Sequence, residues 1–472
     1  MPVASPPIRV STLRVLAAAV VISFVATIGY GIYLQPDWES YRDDQVEYLA
    51  LAKGLVERGE FTRAVGGEPF VPEPLRTPGY PLLRAGICLV AGCGSWPIAL
   101  VSALLCAALP GLTFLVARRV LSERGSLVAA VGVAIYLPFA YFAAIPLSDL
   151  PATFLLLAAT YLTLRARETA SARWGAAAGV VLGSLALTRP AFVLLPAALA
   201  GTMLLTAIPA RRRIGKLVLP SAVLLLTTII VLAPFLAYSY RYFGGPFASS
   251  SGTGLWYGYV QGIGGGSATD LERFRAVALA PTDPAAADDI RRAGTAVGFD
   301  EIESVEAAAA LREITAFNAV RGRLPQAYAW IDLNVSLARR AGTLIAHDPA
   351  GWLARGLTVR SVELWAGEEP YRVVEARAAR PLGRIPLLTA HLLLFAAAMR
   401  GVAALLRRRP REALLVVAIP AYVWATSFPF VTEARYALPA MPFVVIAAVA
   451  GLRTLRARRL PGTPTTSAAL SP

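Results

Sequence analysis

Residues 15–35, VLAAAVVISFVATIGYGIYLQ, follow Arg9 and Arg14 and contain no charged side chain. A helix needs about 20 apolar residues to cross the hydrocarbon of a bilayer. The stretch therefore predicts a transmembrane helix entered from a basic flank. A secretory signal shares the basic start, but its apolar run is shorter and ends at a small-x-small cleavage site. This run ends Tyr30-Gly-Ile-Tyr-Leu-Gln-Pro36, and a retained helix is the expectation.

The remainder of the chain reads the same way. Of 472 residues, 56% are hydrophobic and 16% charged, with a mean hydropathy of +0.57. Those values belong to an integral membrane protein and exclude an ordinary soluble domain. Charge-poor runs recur at 96–117, 125–147, 150–164, 174–188, 190–210, 217–240, 385–399, 413–432 and 436–452. With the first run they predict an all-α polytopic membrane protein of about ten transmembrane helices. The shorter runs suit helices buried in a bundle, with flanking side chains that snorkel.

Lys and Arg collect in the loops that stay cytoplasmic. With a cytoplasmic N-terminus the inner segments are 1–14, 118–124, 165–173, 211–216, 400–412 and 453–472, which hold 21 basic residues against three acids. The net charge of +15 is thus a topology signal, and no nucleic-acid partner follows from it. By the same parity the outward face receives residues 36–81, the Ser148-Asp149 and Arg189-Pro190 corners, residues 241–384 and Glu433-Ala-Arg435. The expected organisation is a transmembrane module, 1–240, whose first outer loop, 36–81, carries the chemistry. A mostly helical extracytoplasmic segment, 241–384, follows, with surface helices on the outer face. Closing helices occupy 385–456, and 457–472 is a tail too polar to fold. The protein is expected in the inner or plasma membrane, with both termini cytoplasmic and the active site outside.

The first outer loop opens with Asp37, Glu39, Asp43, Asp44 and Glu47. Val46, Leu49, Ala50, Ala52, Leu55 and Val56 then recur near the helical period, predicting a surface helix over 45–58. Asp43 and Asp44 stand at its N-terminus, where the helix dipole favours a carboxylate. There Asp44 can act as an N-cap or as a reactive group. Arg76-Thr-Pro-Gly-Tyr80-Pro81 is a turn, because two prolines and a glycine forbid helix. Its Tyr80 is either an interfacial aromatic or part of a site.

Later outer corners carry further charges. Asp149 lies between two spans with almost no loop, and needs water, a cation or a substrate. Arg189 interrupts two apolar runs, and either pairs with Asp149 or clamps an anion. Tyr240, Arg241, Trp256 and Tyr257 lie in Gly-interleaved loops, a pattern beyond a plain interfacial belt. Glu433-Ala-Arg435-Tyr436 sets a cation at the outer mouth, against the positive-inside bias, which calls for a partner. Residues 349–365 have helical spacing and predict a second surface helix. The run Gly262-Ile-Gly-Gly-Gly-Ser lacks the strand and helix of a phosphate loop and reads as a connector. Cys88, Cys93 and Cys106 read as small buried hydrophobes, with a Cys88 to Cys93 bridge left open. His347 and His391 are far apart in sequence, so no histidine metal site can be read. A divalent cation between Asp44 and Asp149 also stays open, two carboxylates being too few to require one.

Carboxylates and arginines gathered on one face at membrane depth suit group transfer from a lipid phosphate in the outer leaflet. Arginine neutralises the charge that the leaving phosphate develops, and one carboxylate takes the proton of the acceptor hydroxyl. No second acid is needed. A transporter or flippase of lipid-linked or small anionic substrates is the alternative. It calls for internal repeats and charges at mid-span, whereas here the charges stay at one mouth.

The spacing Asp44-x-x-x-Tyr48, then Ala52 and Gly54, then Arg76-x-Pro-Gly-Tyr80-Pro resembles the GT-C glycosyltransferases that use polyprenyl-phosphate sugars, among them the protein O-mannosyltransferases and the lipid A aminoarabinose transferases. Ser148-Asp149, Thr188-Arg189-Pro190, Tyr240-Arg241-Tyr-Phe-Gly244 with Leu255-Trp256-Tyr257-Gly258, and Glu433-x-Arg435-Tyr436-x-x-Pro439 are similar to that superfamily's later motifs, in the same order. The resemblance implies a polyprenyl-phosphate sugar donor and an extracytoplasmic acceptor. It makes Asp44 the catalytic base and Asp149 a second carboxylate. Arg189, Arg241 and Arg435 become donor-phosphate contacts, with Arg76, Tyr80, Tyr240, Trp256, Tyr257, Glu433 and Tyr436 around them. The chain departs from the two named branches, since Asp44 is followed by Gln45 and the turn reads Arg-Thr-Pro. Acceptor identity therefore does not carry over.

Overall fold

The computed structural model describes residues 8–34, 44–64, 66–207, 211–246, 250–263, 267–280, 286–319, 326–366, 384–408 and 410–459. Asp37, Glu39, Asp43, the middle of the Gly-rich run and the tail beyond 459 lie outside them. All regular structure among the described residues is helical. The first helix, α1 (Val10–Leu34), is followed by α2 (Asp44–Arg58) and α3 (Gly79–Ala91). Next come α4 (Ser95–Ala117), α5 (Glu123–Ala134), α6 (Leu137–Ala144), α7 (Asp149–Thr169), α8 (Ala172–Thr188), α9 (Leu195–Leu205) and α10 (Arg211–Phe243). A second group comprises α11 (Ser251–Val260), α12 (Ala268–Leu279), α13 (Ala286–Ala296), α14 (Glu301–Ala319) and α15 (Gln326–His347). It runs on through α16 (Pro349–Arg355), a π-helical stretch (Gly356–Arg360) and α17 (Ser361–Ala366). The chain closes with α18 (Arg384–Arg408), α19 (Pro410–Ser427), the short α20 (Ala434–Ala437) and α21 (Met441–Arg459).

Each of the ten expected runs falls on helix, but fewer have the length of an independent span. Five stretches are long and apolar enough to cross a bilayer: Val10–Ile32, Ser95–Ala117, Ile214–Phe243, Thr389–Arg408 and Ala434–Arg453. The α5 and α6 pair, bent by 45°, makes a sixth if read as one broken span. The break precedes Pro138, which opens α6 and cannot donate to the turn before it. Ala172–Thr188, Pro190–Leu205 and Val416–Ser427 are apolar but shorter, and α7 ends in Arg165, Arg167 and Glu168.

Small residues bring these helices together, as they must where lipid supplies no hydrophobic drive between them. A Cβ on Gly179 of α8 would stand 2.3 Å from the Leu224 carbonyl oxygen of α10, and one on Gly401 of α18 would stand 1.7 Å from that of Ala447 in α21. The resulting bundle has two polar ends. At one, Arg453 Nη1 donates to Ser122 Oγ at 2.6 Å, Arg119 pairs with Glu168 at 2.8 Å, and Thr12 donates to Glu123. These residues come from the segments expected on the inner side. At the other end Arg189 pairs with Asp149. Helix α7 joins the two ends, and at about 1.5 Å per residue the path from Asp149 to Glu168 is about 29 Å, close to the hydrocarbon thickness of about 30 Å.

The second group of helices has its own core, which includes Trp256, Tyr259, Phe274, Leu337 and Leu344. The fully buried Arg360 fastens it to the bundle. Its guanidinium donates to the carbonyls of Gly258 at 2.8 Å, Trp352 at 2.9 Å and Phe428 at 3.0 Å. Beside it Gln261 exchanges hydrogen bonds with the Thr432 main chain at 2.9 Å in both directions, and Val431 N–H donates to the Gly254 carbonyl at 2.8 Å. Residues 428–432 lead directly into Glu433 and Arg435, so the second group of helices fixes the approach to that corner. The expected surface helix over 349–365 is present as α16 and α17, with Asp348 accepting from Gly351 N–H at its start. Cys88 and Cys93 form a disulfide, and Cys106 is free and buried. The reading of all three as plain apolar filler therefore holds only for Cys106.

Candidate active site

Helix α2 starts with Asp44 and Glu47 in its first turn and ends on Arg58, an order that suits its dipole. It buries one face, including Tyr48, Leu51, Ala52 and Gly54. Gly54 is required there, because a Cβ would lie 2.3 Å from the Thr62 carbonyl oxygen as the chain turns back. The returning strand of loop brings Arg63, Glu73 and Arg76 alongside the head of α2. The turn that follows is docked by Gly79, whose Cβ would lie 2.5 Å from the Leu187 carbonyl carbon and 2.6 Å from Thr188 N. The loop between α2 and α3 is thereby seated against the residue before Arg189.

The two oxygens of Asp44 go to two guanidiniums. Arg76 Nη2 meets Oδ1, and Arg435 Nη1 meets Oδ2 at 3.3 Å. Burial alone would raise the Asp44 carboxyl, but Arg76 and then Arg435 outweigh it and hold the group below the usual carboxylate range. Arg435 is also paired with Glu433 at 2.5 Å. The Arg76 guanidinium lies 5.1 Å from the Tyr48 ring centre, and Tyr48 meets Tyr80 edge to face at 4.8 Å. Tyr48 Oη donates to Ser148 Oγ at 3.4 Å, which ties α2 to the Asp149 corner. Arg189 pairs with the buried Asp149 and lies 5.3 Å from the Tyr436 ring.

Asp44, Arg76, Tyr80, Asp149, Arg189, Glu433, Arg435 and Tyr436 are thus assembled at one end of the bundle from five separate segments. Asp44 is engaged by side-chain cations, and Arg189 forms the salt bridge that was one of its two readings. Among the described residues, Tyr240, Arg241, Trp256 and Tyr257 make no hydrogen bond, ion pair or ring contact with this cluster. Tyr240 is exposed, Arg241 lies over the Tyr242 ring at 5.4 Å, Trp256 is buried in the core of the second helix group, and Tyr257 is exposed.

Several residues at the site escaped the sequence reading. Glu47 accepts from Arg76 Nε at 2.8 Å and from Arg63 Nη1 at 2.7 Å. Arg63 also forks onto Glu73, with Nη2 to Oε1 at 2.8 Å. The buried Arg84 of α3 donates to the Gln45 carbonyl at 3.3 Å and holds the start of α2. The one available signal was Glu47 three residues after Asp44, which places both on one helix face. Among the described residues no group of three His, Cys, Asp or Glu is placed to hold a metal ion. A small cavity bordered by Tyr136, Trp365, His391 and Leu438 lies beside the cluster, reaching it at Ala434.

Comparison with known proteins bears on this arrangement. Residues 74–238 match the family model described as dolichyl-phosphate-mannose-protein mannosyltransferase. An oligosaccharyltransferase of Archaeoglobus fulgidus, tethered to an acceptor peptide, superimposes with a TM-score of 0.52 at 14% identity, covering 95% of this chain and 50% of that one. The archaeal oligosaccharyltransferase AglB from the same organism, in complex with an inhibitory peptide and a dolichol-phosphate, gives 0.52 at 14% identity, covering 95% and 51%. At that identity the likeness is one of fold, and this chain spans about half the length of those proteins. ArnT from Cupriavidus metallidurans bound to undecaprenyl phosphate gives 0.40 at 16% identity, covering 94% and 77%, a likeness too loose to argue from. No curated protein sequence matches the chain.

Proposed function

We propose that this chain, whose fold is that of membrane oligosaccharyltransferases and part of which matches a mannosyltransferase family, is a GT-C glycosyltransferase that moves a sugar from a polyprenyl-phosphate donor to an acceptor hydroxyl outside the cytoplasm, with inversion at the anomeric carbon. The observation that carries this reading is the Asp44 carboxylate held between Arg76 and Arg435 at one polar end of the bundle. In this reading each of two phosphate-binding cations stands within one hydrogen bond of the base.

In this reading the donor phosphate enters from the lipid and takes over guanidinium hydrogen bonds that Asp44 holds in its absence. Arginine suits the task because its planar fork binds phosphate oxygens two at a time. Asp44 then accepts the proton of the acceptor hydroxyl. The acceptor oxygen bonds to the anomeric carbon as the bond from that carbon to the phosphate oxygen breaks, and polyprenyl phosphate departs with the electron pair. Arg76 and Arg435 offset the charge that it gains. Asp149 and Arg189 form a neutral buried pair that shapes the floor of the site and holds Tyr436 beside Arg435.

Two observations support an outward-facing site. The Cys88–Cys93 disulfide stands at the end of α3, the helix that leaves the Arg76 turn, and disulfides persist in oxidising compartments. The basic segments meet at the opposite end of the bundle, as the positive-inside rule requires of a cytoplasmic face.

The test is incubation of the purified protein with a panel of polyprenyl-phosphate sugars, scoring release of polyprenyl phosphate. Release by the native protein and its loss in Asp44→Asn are expected. Wild-type turnover in that variant sinks the base assignment, and passage of labelled lipid-linked sugar across proteoliposomes without any acceptor favours a transporter instead.

A further inference from the structure

We propose that Glu47 is a positioning residue for the transfer reaction, holding the Arg76 guanidinium against Asp44, with Arg63 and Glu73 as the support behind it. The inference rests on the glycosyl-transfer reading above and extends it to side chains outside the base and the phosphate contacts.

Glu47 is buried, and each of its oxygens has a guanidinium partner: Oε2 takes Arg76 Nε at 2.8 Å, and Oε1 takes Arg63 Nη1 at 2.7 Å. Arg63 in turn grips Glu73 with two nitrogens. Glu73 is 3% exposed, and its Oε1 also accepts the main-chain N–H of Leu75 at 2.8 Å and of Arg76 at 3.0 Å. The Glu73 N–H donates to Tyr238 Oη at 2.7 Å, which fastens this loop to α10. Arg76 is therefore fixed at both ends, its main chain by Glu73 and its guanidinium by Glu47.

The series Glu73, Arg63, Glu47, Arg76, Asp44, Arg435, Glu433 alternates in sign, and every guanidinium in it lies between two carboxylates. Removing the Glu47 charge has two consequences. The Arg76 side chain loses the contact that aims it, and its positive charge falls on Asp44 alone. A carboxylate facing a less neutralised cation is held more firmly in its ionised form, and is a weaker base. The charged groups that face Asp44 are Arg76 from the loop, Arg435 with Glu433 from the last outer corner, Glu47 from its own helix, and Arg84 of α3 through the neighbouring Gln45 carbonyl.

The experiment uses the full-length protein in detergent or nanodiscs, with Glu47→Gln, Arg76→Gln and the double variant. A melting cycle, which needs no substrate, is expected to show that the double variant loses less than the sum of the singles; strict additivity overturns the contact. With a polyprenyl-phosphate sugar that the native protein uses, Glu47→Gln is expected to lower kcat about tenfold and raise the donor KM about threefold. It is also expected to move the acid limb of the pH profile to lower pH, which a merely structural loss does not do. Native kcat, KM and acid limb in Glu47→Gln overturn the positioning role alone. Failure of the native protein to release polyprenyl phosphate from any donor brings down the transfer reading, and the positioning role with it.

Discussion

Asp44 and Arg435 are 391 residues apart in the chain, and their side chains meet at 3.3 Å. One comes from the head of α2, the other from the corner at which α19 gives way to α20. Arg76 completes the arrangement from the far side of the same carboxylate. The neutral variant Asp44→Asn keeps the shape of the residue but cannot take a proton. Its turnover is expected to fall by roughly 10²–10⁴-fold, the usual worth of a positioned base. Binding of polyprenyl phosphate should persist or tighten, because two guanidiniums lose a competing anion. Turnover assays and a lipid-phosphate binding isotherm on the same preparation check both halves.

The pH dependence has a definite sign. Burial alone would raise the Asp44 carboxyl, and Arg76 and Arg435 reverse that effect, so it ionises below the usual carboxylate range. A depressed group stays charged, and its ion pairs stay intact, from neutral pH down past the ordinary Asp value of about 3.9. The contribution of those pairs to stability is lost only as pH falls through the lower folded-state value. The acid limb of kcat/KM, which reports the free protein, is therefore expected below about pH 4. A limb near 6 in a pH–rate profile would remove Asp44 from the role of base.

Arg189 and Asp149 form a buried pair whose carboxylate is only 3% exposed. Arg189→Ala leaves that carboxylate without its cation, and a loss of about 3 kcal/mol is expected. Asp149→Asn combined with Arg189→Gln should restore much of it. Thermal melting of the three variants separates this from a direct phosphate contact. If Arg189→Ala melts like the native protein while its donor affinity falls, Arg189 acts on substrate.

Gly79→Ala alters no charge, yet its Cβ would come within 2.5 Å of the Leu187 main chain. Main chain cannot give way as a flexible side chain can. The Arg76 turn should be pushed off α8, lowering both the melting temperature and the turnover while Arg189 keeps its partner. An unchanged melting temperature and rate would show that the turn does not depend on this contact.

Much of this was legible in the residues. A charge beside an apolar run is expensive, so the acids and arginines at the corners between the apolar runs stood out: Asp44, Asp149, Arg189, Glu433 and Arg435. Span positions were legible for the same reason, but span lengths were not. Helices such as α8 and α19 are short, and no local rule says how far a bundle buries their ends. Arg63 and Glu73 were hidden because the chain between 59 and 78 has no periodicity, and the pairings of Arg63 with Glu47 and Glu73, 16 and 10 residues away, follow from tertiary packing. Arg241 and Tyr240 are the opposite case: their composition resembles a site, while in the last turn of α10 Tyr240 is exposed and Arg241 lies over the Tyr242 ring. The Cys88–Cys93 bridge spans five residues at a helix end, where apolar neighbours made both cysteines read as filler.

The buried Arg360 has a consequence for how such a chain can be recombined. No described carboxylate pairs with it, and its hydrogen bonds run to main-chain carbonyls of α11, α16 and the end of α19. Exchanging the segment between related proteins at the obvious boundaries, after α10 and before α18, would separate Arg360 from the Phe428 carbonyl to which it donates. The unit that can be inherited whole is therefore 250–432, with two helices of the bundle included. A crossover placed inside it carries the cost of an orphaned guanidinium into the folded protein.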